Sequence, residues 1–293
     1  MSIITKELFK NIRRIQIRTN RAVDDMLVGS YHSVFKGRGV EFEDVREYQP
    51  GDEVRSIDWN VTAKMNFPYI KNFREERELT VMIIVDISPS SFFGTTGKQK
   101  NELAAEIAAV LAFSAIKNND RVGMILFSGG VEKYIPPQKG VKHVLRMVRE
   151  LLTAETSQKT TNIAAALDFF GKVQKRRAIC FLLSDFITAD YSRSCAIAAK
   201  RHDLIALCLT DPKERTPPKA GVVTLKDLET GKERIIDMSR EAVRTAIAGA
   251  TKSRLYNNRK LMEKVGAGFV DIDTEGEYCK AIRDYFVMRE RRR

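Results

Sequence analysis

The chain has few of the features that mark a membrane protein, a secreted protein or a familiar enzyme. No apolar run approaches the roughly 20 residues that a membrane-spanning helix needs. The start, Met1-Ser-Ile-Ile-Thr-Lys-Glu7, lacks the pattern of a secretory leader. The four cysteines, Cys180, Cys195, Cys208 and Cys279, stand at no metal-type spacing and read as buried free thiols of a reducing compartment. His32, His143 and His202 are far apart and show no zinc-protease spacing. No Gly-x-Ser-x-Gly elbow occurs. Gly94-Thr-Thr-Gly97-Lys98-Gln99 has the tail of a phosphate-binding loop, but Phe92 and Phe93 stand where its flexible start belongs. Gln99 also replaces the hydroxyl residue that would hold Mg²⁺, so the segment reads as a turn before a helix. Low-complexity stretches and internal repeats are missing too. The expectation is a cytoplasmic, non-catalytic protein.

What the chain does have is a set of polar residues at the ends of apolar strands. Val81-Met-Ile-Ile-Val-Asp86-Ile-Ser88-Pro-Ser90 is a continuous apolar run ending in a carboxylate and two alternate hydroxyls. Such a run predicts a strand buried on both faces of a parallel sheet. Its polar end then falls where open α/β sheets bind ligands. The carboxylate and hydroxyls either cap the next helix or act as hard oxygen ligands for a cation such as Mg²⁺. From this triplet alone the two readings are balanced. Thr160-Thr161-Asn162 stands before a predicted helix, and Ala178-Ile-Cys-Phe-Leu-Leu-Ser184-Asp185 is a second buried-strand run with a polar end.

Taken in order, Asp-x-Ser-x-Ser, a threonine before a helix and a later strand-end aspartate resemble the metal-ion-dependent adhesion site of von Willebrand factor A (vWA) domains. That resemblance implies Mg²⁺ or Mn²⁺ held by Ser88, Ser90 and Thr161, with Asp86 and Asp185 acting directly or through water. A site built largely from neutral hydroxyls leaves charge on the metal and favours a partner's carboxylate. Departures are Lys159-Thr160, where many A domains have glycines, and Phe186 in place of a glycine. They leave the choice between Thr160 and Thr161 as ligand open.

A narrower resemblance lies upstream. Gly37-Arg-Gly39-Val-Glu41 through Pro50-Gly51-Asp52 to Asp58-Trp59, with Ala63-Lys64 and Tyr69 to Glu78, resembles the bacterial family called domain of unknown function 58. It implies a cytoplasmic or membrane-associated protein that works with a MoxR-type AAA+ ATPase as an adaptor or co-chaperone. The alternative class is a metal-dependent hydrolase acting on a phosphorylated or acidic substrate. Physically, residues 37–78 read as a small strand-rich unit with a turn at Pro50-Gly51-Asp52. Ile57 and Trp59 are expected to bury apolar area, and Asp52, Arg55 and Asp58 to form an Arg–carboxylate network.

The net charge of +12 is concentrated at the two ends. Ile4, Leu8, Phe9, Ile12 and Ile15 at helical spacing among Lys6, Lys10, Arg13, Arg14 and Arg18 predict a basic amphipathic helix. Packing on its own domain competes there with docking on anionic lipid or an acidic protein. Nucleic acid ranks last, because no stacking platform accompanies the charge. The domain division is 1–36 basic helical segment, 37–78 strand-rich unit, and 79–290 vWA-like domain. In the last, helices are expected near 101–116, 140–152, 191–201 and 239–265, with a final one closing the chain. Strands are expected at 121–128, 203–209 and 267–272, and a hairpin at 221–237. That alternation gives a Rossmann-like, mainly parallel sheet with helices on both faces.

Overall fold

The computed structural model describes residues 41–74, 78–95, 98–156, 158, 160–226, 228 and 231–291. The basic helix expected within residues 1–36 lies outside them, as do Lys159, Glu229 and Thr230. No helix among the described residues is long and apolar enough to cross a membrane.

The upstream unit pairs β1 (Glu41–Glu47) antiparallel with β2 (Tyr69–Arg74) and places helix α1 (Trp59–Met65) between them. Asp58 caps α1 by accepting the Asn60 and Val61 N–H groups at 3.0 and 3.3 Å. Two expectations need correcting here. Trp59 is 67% exposed, because the Asp58 cap puts it on the first turn of a short, solvated helix. Asp52 pairs with Arg46 through two bonds of 2.8 and 2.9 Å, whereas Arg55 is exposed on the 3-10 turn Val54–Ser56 and Asp58 lies 3.7 Å from Lys71.

Beyond this unit follow β3 (Thr80–Asp86), α2 (Lys100–Lys117), β4 (Arg121–Phe127), β5 (Val131–Gln138), α3 (Val141–Leu152), α4 (Ile163–Val173) and β6 (Ile179–Ser184). The chain continues through α5 (Ser192–Arg201), β7 (Asp203–Thr210), α6 (Pro212–Arg215) and the hairpin β8 (Val222–Lys226) and β9 (Glu233–Asp237). It ends in α7 (Glu241–Val265), β10 (Gly268–Asp273) and α8 (Tyr278–Arg291). Arg240 holds the N-cap position of α7, and the Ser239 hydroxyl donates to Asp237 at 2.5 Å.

Six strands form one sheet in the order β10-β7-β6-β3-β4-β5, all parallel except β5 at one edge. Alternate residues of β3 feed two separate cores. Val81, Ile83 and Val85 belong to the core that also holds residues of α2, α3 and α8, whereas Met82 and Ile84 belong to the one that holds residues of α4, α5 and α7. This α/β sheet with helices on both faces is the architecture that the strand–helix alternation predicts.

The sequence pattern does not predict β5, because Pro136-Pro137 interrupts it. The strand survives as an antiparallel edge with a register shift opposite Val122 and Met124, where the prolines remove no needed ladder bond. Gly123 allows the approach: a Cβ there would meet the Ile135 carbonyl and the Pro137 nitrogen at 2.9 Å.

His202, between α5 and β7, is buried against the Phe170 ring at 4.4 Å, and neither ring nitrogen has a hydrogen-bond partner among the described residues. Burial, helped by the Arg201 and Arg177 charges, holds its pKa below the ordinary value. As pH falls below about 6.5 the unfolded chain takes up a proton that the folded chain refuses, so the contribution of this group to stability falls. Asp86, whose pKa is raised, works in the opposite direction over the same range, so the loss is read as the difference between wild type and His202→Phe in urea unfolding at about pH 7.5 and about pH 5.5. For one proton it is at most about 1.4 kcal/mol per pH unit, and wild type should lose that much more, or gain that much less, than the variant on acidification. Equal changes in the two proteins would show that His202 contributes nothing to the pH dependence.

Candidate functional site at the switch point of the sheet

Chain connections leave β3 in one direction across the sheet, towards β4 and β5, and in the other from β6 outward. At such a divergence the loops separate and open a crevice at the carboxyl ends of the strands. The ends of β3 and β6 carry Asp86 and Ser184-Asp185. Asp86 Oδ1 accepts the Ser88 N–H at 2.9 Å, and its Oδ2 accepts the Ser184 hydroxyl at 2.6 Å. That hydroxyl in turn accepts the Phe186 N–H at 2.9 Å. Ser88 and Ser90 hydroxyl oxygens lie 3.1 Å apart, just before and within the 3-10 turn Pro89–Phe92.

Thr161 arrives from a third direction. Its neighbour Asn162 donates its N–H to the Ser128 carbonyl at 2.7 Å, beyond the end of β4, and caps α4 through Ala165 N–H at 2.9 Å. The Thr188 hydroxyl, beyond β6, donates to the Thr161 carbonyl at 2.7 Å. A loop tied to segments that follow β4 and β6 must cross the end of β3, which lies between those strands. Thr161 is buried there, whereas Thr160 is exposed. Gly129 makes room for this loop, since a Cβ would run into the Gln158 amide and would meet the Thr160 Oγ1 at 2.5 Å. Hydrogen bonds thus tie Asp86, Ser88 and Ser90 together, and the loop that carries Thr161 passes the carboxyl end of the same strand.

Asp185 has a different company. Lys100, the first residue of α2 and only 2% exposed, places its ammonium 3.2 Å from Asp185 Oδ2 and in contact with Glu214. Arg254 of α7 holds Glu214 from the other side at 2.9 Å and donates to the Asp185 carbonyl at 2.5 Å. Burial opposes the lysine's charge, but the Asp185 and Glu214 carboxylates hold its pKa above the ordinary value. Beside this cluster Asp211 accepts the Thr95 N–H at 2.9 Å and its hydroxyl at 2.5 Å, closing the turn before α2. Asp86 has no such relief. Burial and then the Asp185 charge push its pKa up to about 7, and no cation among the described residues bonds to it.

Sequence reasoning misses Lys100, Glu214 and Arg254. The one local signal is a lysine at a helix N-terminus, where the dipole disfavours a cation, so that its charge must be answered from another part of the chain.

Phe186 takes the place of a glycine with φ at +55°, a left-handed conformation that a bulky residue adopts at a cost of roughly 1–3 kcal/mol. Its ring is buried against Tyr191 and Phe269, at centroid distances of 5.8 and 6.5 Å. Losing such a ring costs about 3–5 kcal/mol, so packing outweighs backbone relief. Phe186→Gly should therefore destabilise the fold by about 2 kcal/mol in urea unfolding. A gain in stability would show that the backbone conformation, and not the ring, dominates at this position.

The family model described as "Protein of unknown function DUF58" matches residues 44–255. An uncharacterized protein of Mycobacterium tuberculosis is 28% identical over 283 residues, which is 96% of this chain and 89% of that protein. The uncharacterized protein YeaD of Bacillus subtilis is 28% identical over 162 residues, 55% of this chain and 38% of its own length. Among solved structures, BatB of Bacteroides thetaiotaomicron superposes with TM-score 0.46 at 18% identity, over 73% of this chain and 99% of that one. The SpRpn10 VWA domain does so with TM-score 0.38 at 10% identity, over 71% and 94%.

Proposed function

The chain belongs to the DUF58 family of proteins of unknown function, and on that premise we propose that it is a non-catalytic, metal-dependent protein-interaction module of the cytoplasm. Its site would take Mg²⁺ or Mn²⁺ through Ser88, Ser90 and Thr161, with Asp86 and Asp185 acting directly or through water.

One observation carries this reading. The Ser88 and Ser90 oxygens are 3.1 Å apart beside a buried carboxylate that lacks a cationic partner among the described residues. Adjacent ligands of an octahedral ion with bonds of about 2.1 Å lie about 3.0 Å apart, so the spacing fits Mg²⁺. Among the described residues no group of three His, Cys, Asp or Glu side chains could hold a metal, so a cation site here depends on hydroxyls. Such a set leaves net positive charge on the ion and room for a partner's carboxylate. Phe92, Phe93 and Ile187, exposed in the segments after Ser90 and Asp185, offer apolar contacts to the same partner. In keeping with the resemblance of residues 37–78, that partner is an acidic surface of a MoxR-type AAA+ ATPase, with the chain as its adaptor. Exposed Trp59 and Phe67 in the upstream unit add a further apolar surface for it.

Calorimetric titration of Mg²⁺ should give weak binding by the wild-type chain, and Ser88→Ala should weaken it by about tenfold or more. Because that change removes a hydroxyl and strands no charge, the variant should unfold within about 1 kcal/mol of wild type. Co-purification with the ATPase should fail in EDTA and for Ser88→Ala alike. A complex that forms equally well with chelator present would sink the proposal.

A further inference from the structure

The two carboxylates at the switch point are not equivalent. Asp185 is matched by the buried Lys100 ammonium, whereas the donors facing Asp86 are neutral: the Ser184 and Ser88 hydroxyls and the Ser88 amide. Lys100 stands at the positive end of the α2 dipole and away from water, two costs that the Asp185 and Glu214 carboxylates offset, with the nearby Asp211 charge adding to them. Arg254 completes the set by holding Glu214 at 2.9 Å, and the Phe93 ring closes over the ammonium at 5.6 Å from its centroid. Asp185 cannot turn wholly to a metal without leaving Lys100 short of charge.

We propose that Lys100 is a built-in counter-cation, a positioning residue that keeps the site assembled without metal and reserves Asp86, rather than Asp185, for the ion. The inference rests on the metal reading above and deepens it. Lys100 lowers the affinity for a divalent ion in two ways: it occupies one carboxylate, and it places a fixed positive charge near the ion. Binding is then weak until a partner's carboxylate arrives. A protein with this arrangement stays folded whether or not the ion is present, and its metal step reports the partner.

The test is a titration of Mg²⁺ into the full chain, followed by calorimetry and thermal unfolding. Asp86→Asn is expected to weaken binding by about thirtyfold or more and Asp185→Asn by only about threefold. Lys100→Met frees a carboxylate and removes a repulsive charge, so its Mg²⁺ affinity should rise by about tenfold. It should also unfold early in EDTA and regain about 5 °C or more in millimolar Mg²⁺, a rescue that a merely structural lysine would not give. Equal losses in Asp86→Asn and Asp185→Asn, or an unchanged or weaker affinity in Lys100→Met, would overturn the role given to Lys100 and leave the metal site standing. If Lys100→Met folds in neither condition, the comparison of the two aspartate variants decides. No heat and no thermal shift with wild type is a separate outcome: it removes the metal reading itself, and this inference with it.

Discussion

A strand can occupy the middle of a parallel sheet only if helices cover both of its faces, and β3 meets that condition along its whole apolar length. Val81 to Val85 are completely shielded from water. Each such side chain contributes roughly 1.5–3 kcal/mol by leaving water, so the strand's position is fixed by more energy than any local polar preference could oppose. The polar residues at its end are then delivered to a place they did not choose. Asp86 arrives buried and must find donors there, and the ones it finds are the Ser88 amide and the Ser184 hydroxyl. The site follows from the burial of the strand.

The neighbouring ion cluster is not an argument for stability. Removing Lys100 and its carboxylate partners from water costs several kcal/mol per ion, and their mutual attraction only offsets that with good geometry. A set of apolar residues of the same volume would serve the core as well. What the cluster adds is connection. Lys100 starts α2, Asp185 directly follows β6, Glu214 lies in α6 and Arg254 in α7, so four separated parts of the chain share one set of charges. Arg254 touches both the Glu214 carboxylate and the Asp185 carbonyl, which ties α7 to the switch point.

Legibility in the sequence follows the range of the interaction. β3, β6 and β7 are readable because their apolar runs are local and long. Asp86, Ser88 and Ser90 are readable because they stand within five residues of one another. β5 is not, because its tolerance of Pro136-Pro137 depends on being an edge and on a glycine in another strand. Nor is the exposure of Trp59, which is decided by a helix cap one residue earlier. Lys100 is hidden for the strongest reason: its partners lie 85 and 114 residues away, and no local pattern records a contact of that range.

These distances also explain why the two aspartates look alike in the sequence. Each stands at the end of a buried apolar run beside serine, and the resemblance implies the same role for both. The fold separates them by what stands opposite. Asp86 faces hydroxyls and an amide, which satisfy its lone pairs without cancelling its charge. Asp185 faces an ammonium, which does both. A carboxylate whose hydrogen bonds are met but whose charge is not is stable only as an acid or beside a cation, and that is the physical sense in which the site is unfinished at Asp86 and complete at Asp185.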